Sequence, residues 1–252
     1  IKAEQCYADI MSYFVSSKAT KPEIKNKVEE YAKNMETLFE TIASPRFNFI
    51  AYLILTLRYE VVNDYKSTLE ICNKALSYFE PIESKVPINN IFMFAIKMLA
   101  YQVYLGNFKA TKLAVQKCFQ FSREGTLNWF LTLDYAIISA FHSENFQEAY
   151  QYYTKAACNA NFEKQPPSMR ERWYILEAFI YFFFFTKKLK IIDNNSLKKF
   201  RLTRFLNDVP VYSKDKRGAN ISILVLQILF LLQQQKYGEI IDRTESLKTY
   251  MQ

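Results

Sequence analysis

The stretch SKDKRGANISI, residues 213–223, combines residue types that bind phosphate groups. The cations Lys214, Lys216 and Arg217 surround one aspartate, and a single glycine precedes an apolar segment. Nucleotide-binding loops use several glycines to bring backbone N–H groups close to phosphates at the start of a helix. Neither GxGxxG nor GxxxxGK[ST] occurs in this chain. We therefore interpret the stretch as a helix-to-helix junction at the edge of a basic surface.

That basic surface is confined to one section of the chain. Residues 187–217 contain ten Lys or Arg and three acids, a net charge of +7, whereas the whole chain carries +8. A helix from Ser196 would place its cations three residues apart on one exposed side, from which they could neutralise phosphates. Contact with nucleic acid or another polyanion is the alternative function. The predicted basic patch consists of Lys198, Arg201, Arg204, Lys214, Lys216 and Arg217.

Signatures of catalysis or metal binding are scarce. The chain has no HExxH and no GxSxG motif, and His142 is its single histidine, expected to interact with the carbonyl groups at a helix end. Four widely spaced cysteines form no CxxC pair, so they are expected to be small core residues in a reducing, cytoplasmic setting. We interpret Asp134 and Glu177 as partners of buried Tyr or Arg side chains. We expect no enzymatic activity, no metal and no cofactor.

Composition favours a helical protein with a large core. Half of the 252 residues are apolar and 17% are aromatic, while four glycines and seven prolines are too few for many tight β-hairpins. The apolar runs Phe179–Phe185 and Ile221–Leu232 are shorter than the roughly 20 residues that a bilayer requires, so no membrane span is expected. Acids such as Glu29 and Glu36 alternate with lysines, as on a solvated helix face. The chain begins with Ile1, which indicates a fragment or a trimmed form.

A turn of one form recurs along the chain. Each copy is polar or contains glycine, ends in an aromatic residue, and precedes an amphipathic helix. The aromatic residues are 43, 38 and 91 residues apart, the last interval being about two units of 45, and a period of this size is typical of stacked helical hairpins. The four turns are Asn63-Asp64-Tyr65, Gly106-Asn107-Phe108, Glu144-Asn145-Phe146 and Gln235-Lys236-Tyr237.

The apolar spacing predicts twelve helices in six hairpins, forming a single domain over 1–252 with an irregular basic section at 187–218. Steps of three and four residues give each helix one buried face. The predicted helices cover residues 2–17, 22–41, 46–62, 65–80, 88–105, 108–122, 126–143, 146–161, 168–188, 196–206, 219–234 and 237–251.

The turn and second helix resemble the tetratricopeptide repeat (TPR). In ENFQEAYQYYTKA, Phe146, Ala149 and Ala156 occupy the aromatic and alanine positions of that repeat. NDYKSTLEICNKALSYFEP and GNFKATKLAVQKC match in part, and QKYGEIIDRTESL keeps little beyond its tyrosine. The units exceed the usual 34 residues, the Trp and Leu-Gly signature of the first helix is absent, and the section from 187 breaks the register. The resemblance implies an all-α fold of antiparallel helical hairpins stacked as a TPR-like α-solenoid; a compact non-repeating bundle is the alternative.

TPR-like solenoids bind extended peptides or helices in the concave groove of their first helices. The resemblance therefore implies a non-catalytic scaffold or adaptor with a protein or peptide partner, and homo-oligomerisation stays open. The groove is mostly apolar, which favours an apolar ligand such as a partner helix, or filling by the chain itself. The implied groove positions are Leu53, Leu57, Ile96, Ala100, Tyr104, Asp134, Ile138 and Phe141.

Overall fold

The computed structural model describes residues 2–15, 21–39, 41–190, 201–207 and 219–251, and these residues form helices without any β-strand. The predicted all-α class is confirmed. The described helices are α1 (Lys2–Val15), α2 (Lys21–Phe39), α3 (Pro45–Glu60), α4 (Tyr65–Phe79), α5 (Ile88–Tyr104), α6 (Phe108–Gln120), α7 (Leu127–His142), α8 (Phe146–Ala157), α9 (Pro167–Phe185), α10 (Leu202–Asn207), α11 (Ala219–Gln233) and α12 (Tyr237–Met251).

The chain divides into two compact units, Ile1–Tyr135 and Ala136–Gln252. In the first unit each helix from α1 to α6 packs on its neighbour in the chain, and α1 also contacts α3. In the second unit α8 packs on α9, α9 on α11, and α11 on α12. The stacked solenoid and the single domain over 1–252 stay predictions.

Most helix ends lie within a few residues of those predicted from apolar spacing. The largest difference is at α8, which ends at Ala157 instead of 161. The predicted start of α10 at 196 lies outside the described residues, and α10 is described from Leu202. A 3₁₀-helix that the apolar spacing does not predict spans Glu80–Lys85; it begins next to Pro81 and is kinked at Ile82. None of the helices in the described ranges combines the length and apolar character that crossing a bilayer requires.

The recurring turns share one backbone geometry. In each, the residue two positions before the aromatic has a positive φ, between 56° and 67°. The next residue donates its N–H to a carbonyl five residues back, the bond of the Schellman motif. The distances are 3.0 Å for Asp64 to Tyr59, 3.0 Å for Asn107 to Gln102, 2.8 Å for Asn145 to Ala140 and 3.0 Å for Lys236 to Leu231.

The same turn residue that ends one helix also begins the next. Asp64, Asn107 and Asn145 accept the N–H of the residue three positions on, at 3.1 to 3.3 Å. Such N-cap bonds satisfy a donor that has no partner inside the helix. Lys236 has no side-chain acceptor and instead pairs with Glu239 at 3.1 Å. A loop this short makes the two helices of a hairpin run antiparallel.

The helix-ending half of the turn also occurs at the end of α9, where a break in register is predicted. Lys187 has a φ of 60°, and the N–H of Lys188 binds the carbonyl of Phe183 at 2.9 Å. The residue after this turn is Leu189, which is buried rather than aromatic. Only the helix-ending half of the turn is present here, because neither Leu189 nor Lys190 is helical, and the break in register from 187 stays a prediction.

The aromatic residue that follows each of the four turns and begins the next helix will be called the post-turn residue: Tyr65, Phe108, Phe146 or Tyr237. Two of them stack on the first helix of the next hairpin. The Tyr65 ring lies 5.2 Å from that of Tyr101 in α5, and the Phe146 ring lies 3.9 Å from that of Phe183 in α9. At these two turns the aromatic residue therefore joins successive hairpins.

Glu144→Gly is expected to raise the free energy of unfolding by about 1 kcal/mol, because a side chain costs roughly 1–2 kcal/mol in the left-handed region that glycine enters freely. Glu144 has a φ of 56°. Urea denaturation followed by circular dichroism measures the change. The matched control is Gly106→Ala, where φ is 67° and an added Cβ meets no atom within 4 Å, so a loss of about 1 kcal/mol is expected from backbone conformation alone. An unchanged midpoint for Glu144→Gly would contradict the turn geometry.

Candidate functional site

The predicted groove residues are divided between the two units. Leu53, Ala100 and Asp134 of the first unit are buried, and Leu57 and Ile96 are half-buried. In the second unit Ile138 and Phe141 are half-buried, and Phe141 packs on Phe179 and Phe183. Tyr104 differs from all of these because 64% of it is exposed. A binding role for the set stays a prediction, and Tyr104 is the member most open to a partner.

Tyr104 belongs to a cluster of three rings, which we call the tyrosine face: Tyr65, Tyr101 and Tyr104. Tyr65 stacks on Tyr101 at 5.2 Å and on Tyr104 at 5.7 Å, with interplanar angles of 19° and 29°. Tyr101 and Tyr104 lie three residues apart in α5, so both rings leave the same side of that helix. Because its rings hold one another, the face loses little side-chain freedom when a ligand binds.

An ion pair lies beside the tyrosine face. The Lys97 ammonium contacts the Glu60 carboxylate at 2.5 Å, and the two side chains are only 21% and 15% exposed. Glu60 also accepts a hydrogen bond from the Tyr101 hydroxyl, and burial together with this carboxylate raises the pKa of Tyr101. The Tyr101 hydroxyl therefore stays protonated at neutral pH. Glu60 of α3 thus fixes both Lys97 and Tyr101 of α5.

Exposed apolar residues lie in the two turns that adjoin the tyrosine face. Val62 follows α3 and Leu105 follows α5, and they are 44% and 40% exposed. Tyrosine rings with apolar neighbours can pack against an apolar side chain while their hydroxyls bind polar groups.

The predicted basic patch lies largely outside the described residues. Lys198, Lys214, Lys216 and Arg217 fall in the undescribed ranges, and the Arg204 side chain does as well, although its backbone belongs to α10. Arg201 is described and is exposed. The patch, and with it polyanion binding, stays a prediction.

The histidine, the buried cysteines and Glu177 lie at a helix end or in the core. His142 is the last residue of α7, as expected. Glu177 accepts a hydrogen bond from the buried Tyr153, which matches its predicted role as a partner of a buried tyrosine. Burial raises the pKa of both Cys72 and Cys118 to about 12, so these thiols stay protonated. Within the described ranges, no group of three or more His, Cys, Asp or Glu could hold a metal ion.

Sequence reasoning found Tyr104 but missed the residues that hold it. The signal for Tyr65 was present, because Tyr65 is the aromatic residue of the first recurring turn. Lys97, Tyr101 and Tyr104 also have helical spacing along α5. Glu60, the partner of Lys97 and Tyr101, is 37 residues before Lys97, and no local pattern relates the two.

Comparison of the chain with protein-family models, with curated proteins and with solved structures gives no match.

Proposed function

We propose that this chain is a non-catalytic, TPR-like helical-repeat scaffold of the cytoplasm that binds a protein or peptide segment. Its hairpins stack as an α-solenoid, and the tyrosine face is part of the binding surface. The ligand is a short segment with apolar or aromatic side chains, in an extended or helical conformation.

The repeated turn supports the scaffold class. A helix end with positive φ recurs along the chain, in three cases an N-cap follows at the next residue, and two of the post-turn residues pack on the following hairpin. Each such unit leaves an apolar face that the next unit covers. Proteins of this kind use the extended surface of successive hairpins for binding.

The exposed ring of Tyr104 is the observation that carries the proposal for the site. Tyrosine is enriched among residues that dominate binding energy, because a rigid ring buries much surface at a small loss of entropy. Tyr104 is 64% exposed and lies beside the rings of Tyr65 and Tyr101, and the Tyr101 hydroxyl is held by Glu60. A partner segment would cover Tyr104 and contact Val62 and Leu105.

A selection from a phage-displayed library of random peptides tests the proposal. Peptides selected on the wild-type chain are synthesised, and their dissociation constants are measured by fluorescence anisotropy. We expect Tyr104→Ala to weaken binding at least about 10-fold, as for a residue at the centre of an interface. Tyr104→Phe should retain most of the affinity, because it keeps the ring.

The matched control is Leu113→Ala on α6, since Leu113 is 66% exposed and lies outside the tyrosine face. Its binding should equal that of the wild type. Selected peptides that bind Tyr104→Ala as tightly as the wild type would refute the site. A selection that yields no saturable peptide would count against peptide binding itself.

A further inference from the structure

The short helix α10 buries its apolar side against longer helices of the second unit. Phe205 is 1% exposed and Leu206 is 8% exposed, whereas Thr203 is exposed. The Phe205 ring lies 5.9 Å from that of Tyr174 in α9 and 6.1 Å from that of Phe230 in α11. The helix is therefore amphipathic, and its two buried side chains lie in a space lined by α9 and α11.

Two side chains from other helices bind the C-terminal end of α10. Gln227 of α11 donates from its Nε2 to the Phe205 carbonyl at 2.7 Å. Arg243 of α12 donates from its Nη2 to the Leu206 carbonyl at 2.9 Å. The last four carbonyls of a helix have no partner inside it, so both bonds satisfy helix-end groups. Because the acceptors are backbone atoms, this surface can bind the end of any helix whose apolar side chains fit.

The Gln227 side chain is only half satisfied by α10. Gln227 is fully buried, and its Oε1 accepts no hydrogen bond from any residue that the structure describes. Nearly all buried polar side-chain atoms have a partner, and leaving one without a partner is unfavourable. Within the described ranges, α10 therefore fits this surface incompletely, and a helix that also supplies a donor to Gln227 fits it better.

The length of α10 makes it a weak competitor for this surface. Its six residues are fewer than the roughly 12–15 that an isolated helix needs to be even marginally stable in water. The helical form of α10 therefore depends on the burial of Phe205 and Leu206 and on the bonds from Gln227 and Arg243. A longer helix can make the same contacts and loses less conformational freedom, because it is partly helical before it binds.

We propose that the surface under α10 is a second binding site, which takes a short amphipathic helix of another protein in place of α10. We call it the α10 site and define it by Tyr174, Gln227, Phe230 and Arg243. The partner helix carries a leucine followed three and four residues later by phenylalanine and leucine, as α10 does. It also carries a side-chain donor for Gln227 one turn after the phenylalanine. In the chain alone α10 blocks the site.

Peptides with the sequence of residues 196–207, SLKKFRLTRFLN, test the site when one residue is added at the C-terminal end. An added asparagine places a donor three residues after the phenylalanine, on the same side of the helix, and an added alanine places none. Labelled peptide is titrated with the chain and followed by fluorescence anisotropy. We expect the asparagine peptide to bind at least about 5-fold more tightly than the alanine peptide, because it satisfies the buried oxygen.

The double variant Phe205→Ala, Leu206→Ala removes the competing side chains of α10. We expect the asparagine peptide to bind it at least about 10-fold more tightly than it binds the wild type, where α10 competes within the same chain. Where the double variant is less stable, bound peptide should raise its urea midpoint, since the peptide binds only the folded unit. In the wild type, saturating peptide should speed hydrogen exchange in α10, measured by mass spectrometry, because α10 is displaced.

Two matched controls separate the contacts of the site. A peptide whose phenylalanine and second leucine are both replaced by alanine should bind at least about 10-fold more weakly, because it lacks the apolar contacts. Gln227→Leu, introduced into the double variant, should make the asparagine and alanine peptides bind equally. A leucine has nearly the same size as glutamine but neither donates nor accepts, so only the polar contact is lost.

Three outcomes would overturn the proposal. The first is a double variant that neither binds the peptide nor gains stability from it. The second is unchanged hydrogen exchange of α10 in the wild type at peptide concentrations that saturate the double variant. The third is a wild-type dimer, detected by sedimentation, that the peptide dissociates, because a second copy would then be the occupant. Loss of the α10 site would leave binding at Tyr104 unchanged, so the two proposals fail separately.

Discussion

Glu60→Gln is expected to lower the free energy of unfolding by about 2–3 kcal/mol, somewhat less than the loss of one partner from a fully buried pair. Glu60 holds Lys97 at 2.5 Å, and both side chains are largely withdrawn from water. A glutamine oxygen can still accept the Tyr101 hydroxyl, but it cannot balance the ammonium charge. Urea denaturation followed by circular dichroism measures the loss.

A double-mutant cycle tests whether the loss comes from the charge pair. Lys97→Met removes the ammonium, and the double variant Glu60→Gln, Lys97→Met should lose less than the two single variants combined, by about 1 kcal/mol or more. The solvated pair of Lys236 and Glu239 is the matched control, with side chains 48% and 57% exposed, and its disruption should cost at most about 0.5 kcal/mol. Strictly additive losses at Glu60 and Lys97 would show that the pair contributes nothing as a pair.

The helices could be predicted because their signals are local. Ser44 accepts the N–H of Phe47, and Pro45 occupies the first turn of α3. Neighbouring residues in the sequence therefore indicate where that helix begins. The turn before Phe146 likewise combines an N-cap asparagine with an aromatic residue. The spacing of apolar residues then predicts how far each helix extends, and interruptions of that spacing predict the turns.

Contacts between helices could not be predicted from such signals. The acids Glu29 and Glu36 of α2 were assigned to a solvated face because they alternate with lysines. Arg58 of α3 binds both, with its guanidinium at 2.6 and 2.7 Å from Glu29 and at 2.8 Å from Glu36. Both carboxylates are solvated as predicted, with 38% and 50% of their side chains exposed, but spacing within α2 does not reveal that Arg58 of the neighbouring helix packs alongside it. The pairing lowers the pKa of Glu29, so its contribution to stability is lost as pH falls through the acidic range.

The candidate site shows the same limit. Tyr104 was selected from a stripe along the first helices of the hairpins, but Leu53 and Ala100 of that stripe are buried. Both α3 and α5 are apolar around most of their circumference, so their sequences do not show which side faces a neighbour. The exposure of Tyr104 and the hydrogen bond between Tyr101 and Glu60 depend on how α3, α4 and α5 pack together. The sequences of the separate helices do not reveal that packing.

Phe230→Ala is expected to lower the free energy of unfolding of the second unit by about 3–5 kcal/mol, the usual cost of removing a buried aromatic ring. Phe230 of α11 is fully buried in a cluster that also contains Phe205 and Ile223. Its ring lies 5.2 Å from that of Phe182 and 6.2 Å from that of Phe185, both in α9, so its loss leaves a cavity between α9 and α11. The variant should also loosen α10, because Phe205 lies 6.1 Å from the same ring.

Fluorescence can assign this loss to the second unit, since the chain has two tryptophans and each unit contains one. In a Trp129→Phe background, the emission of Trp173 reports on the second unit, and its urea midpoint should fall with Phe230→Ala. Phe184→Ala is the matched control: Phe184 belongs to the neighbouring helix but is 39% exposed, so its loss should cost about 1 kcal/mol or less. Equal urea midpoints for Phe230→Ala and Phe184→Ala would contradict the packing of α9 on α11. In the structure the buried ring of Phe230 stabilises this unit, whereas the exposed Phe184 contributes little.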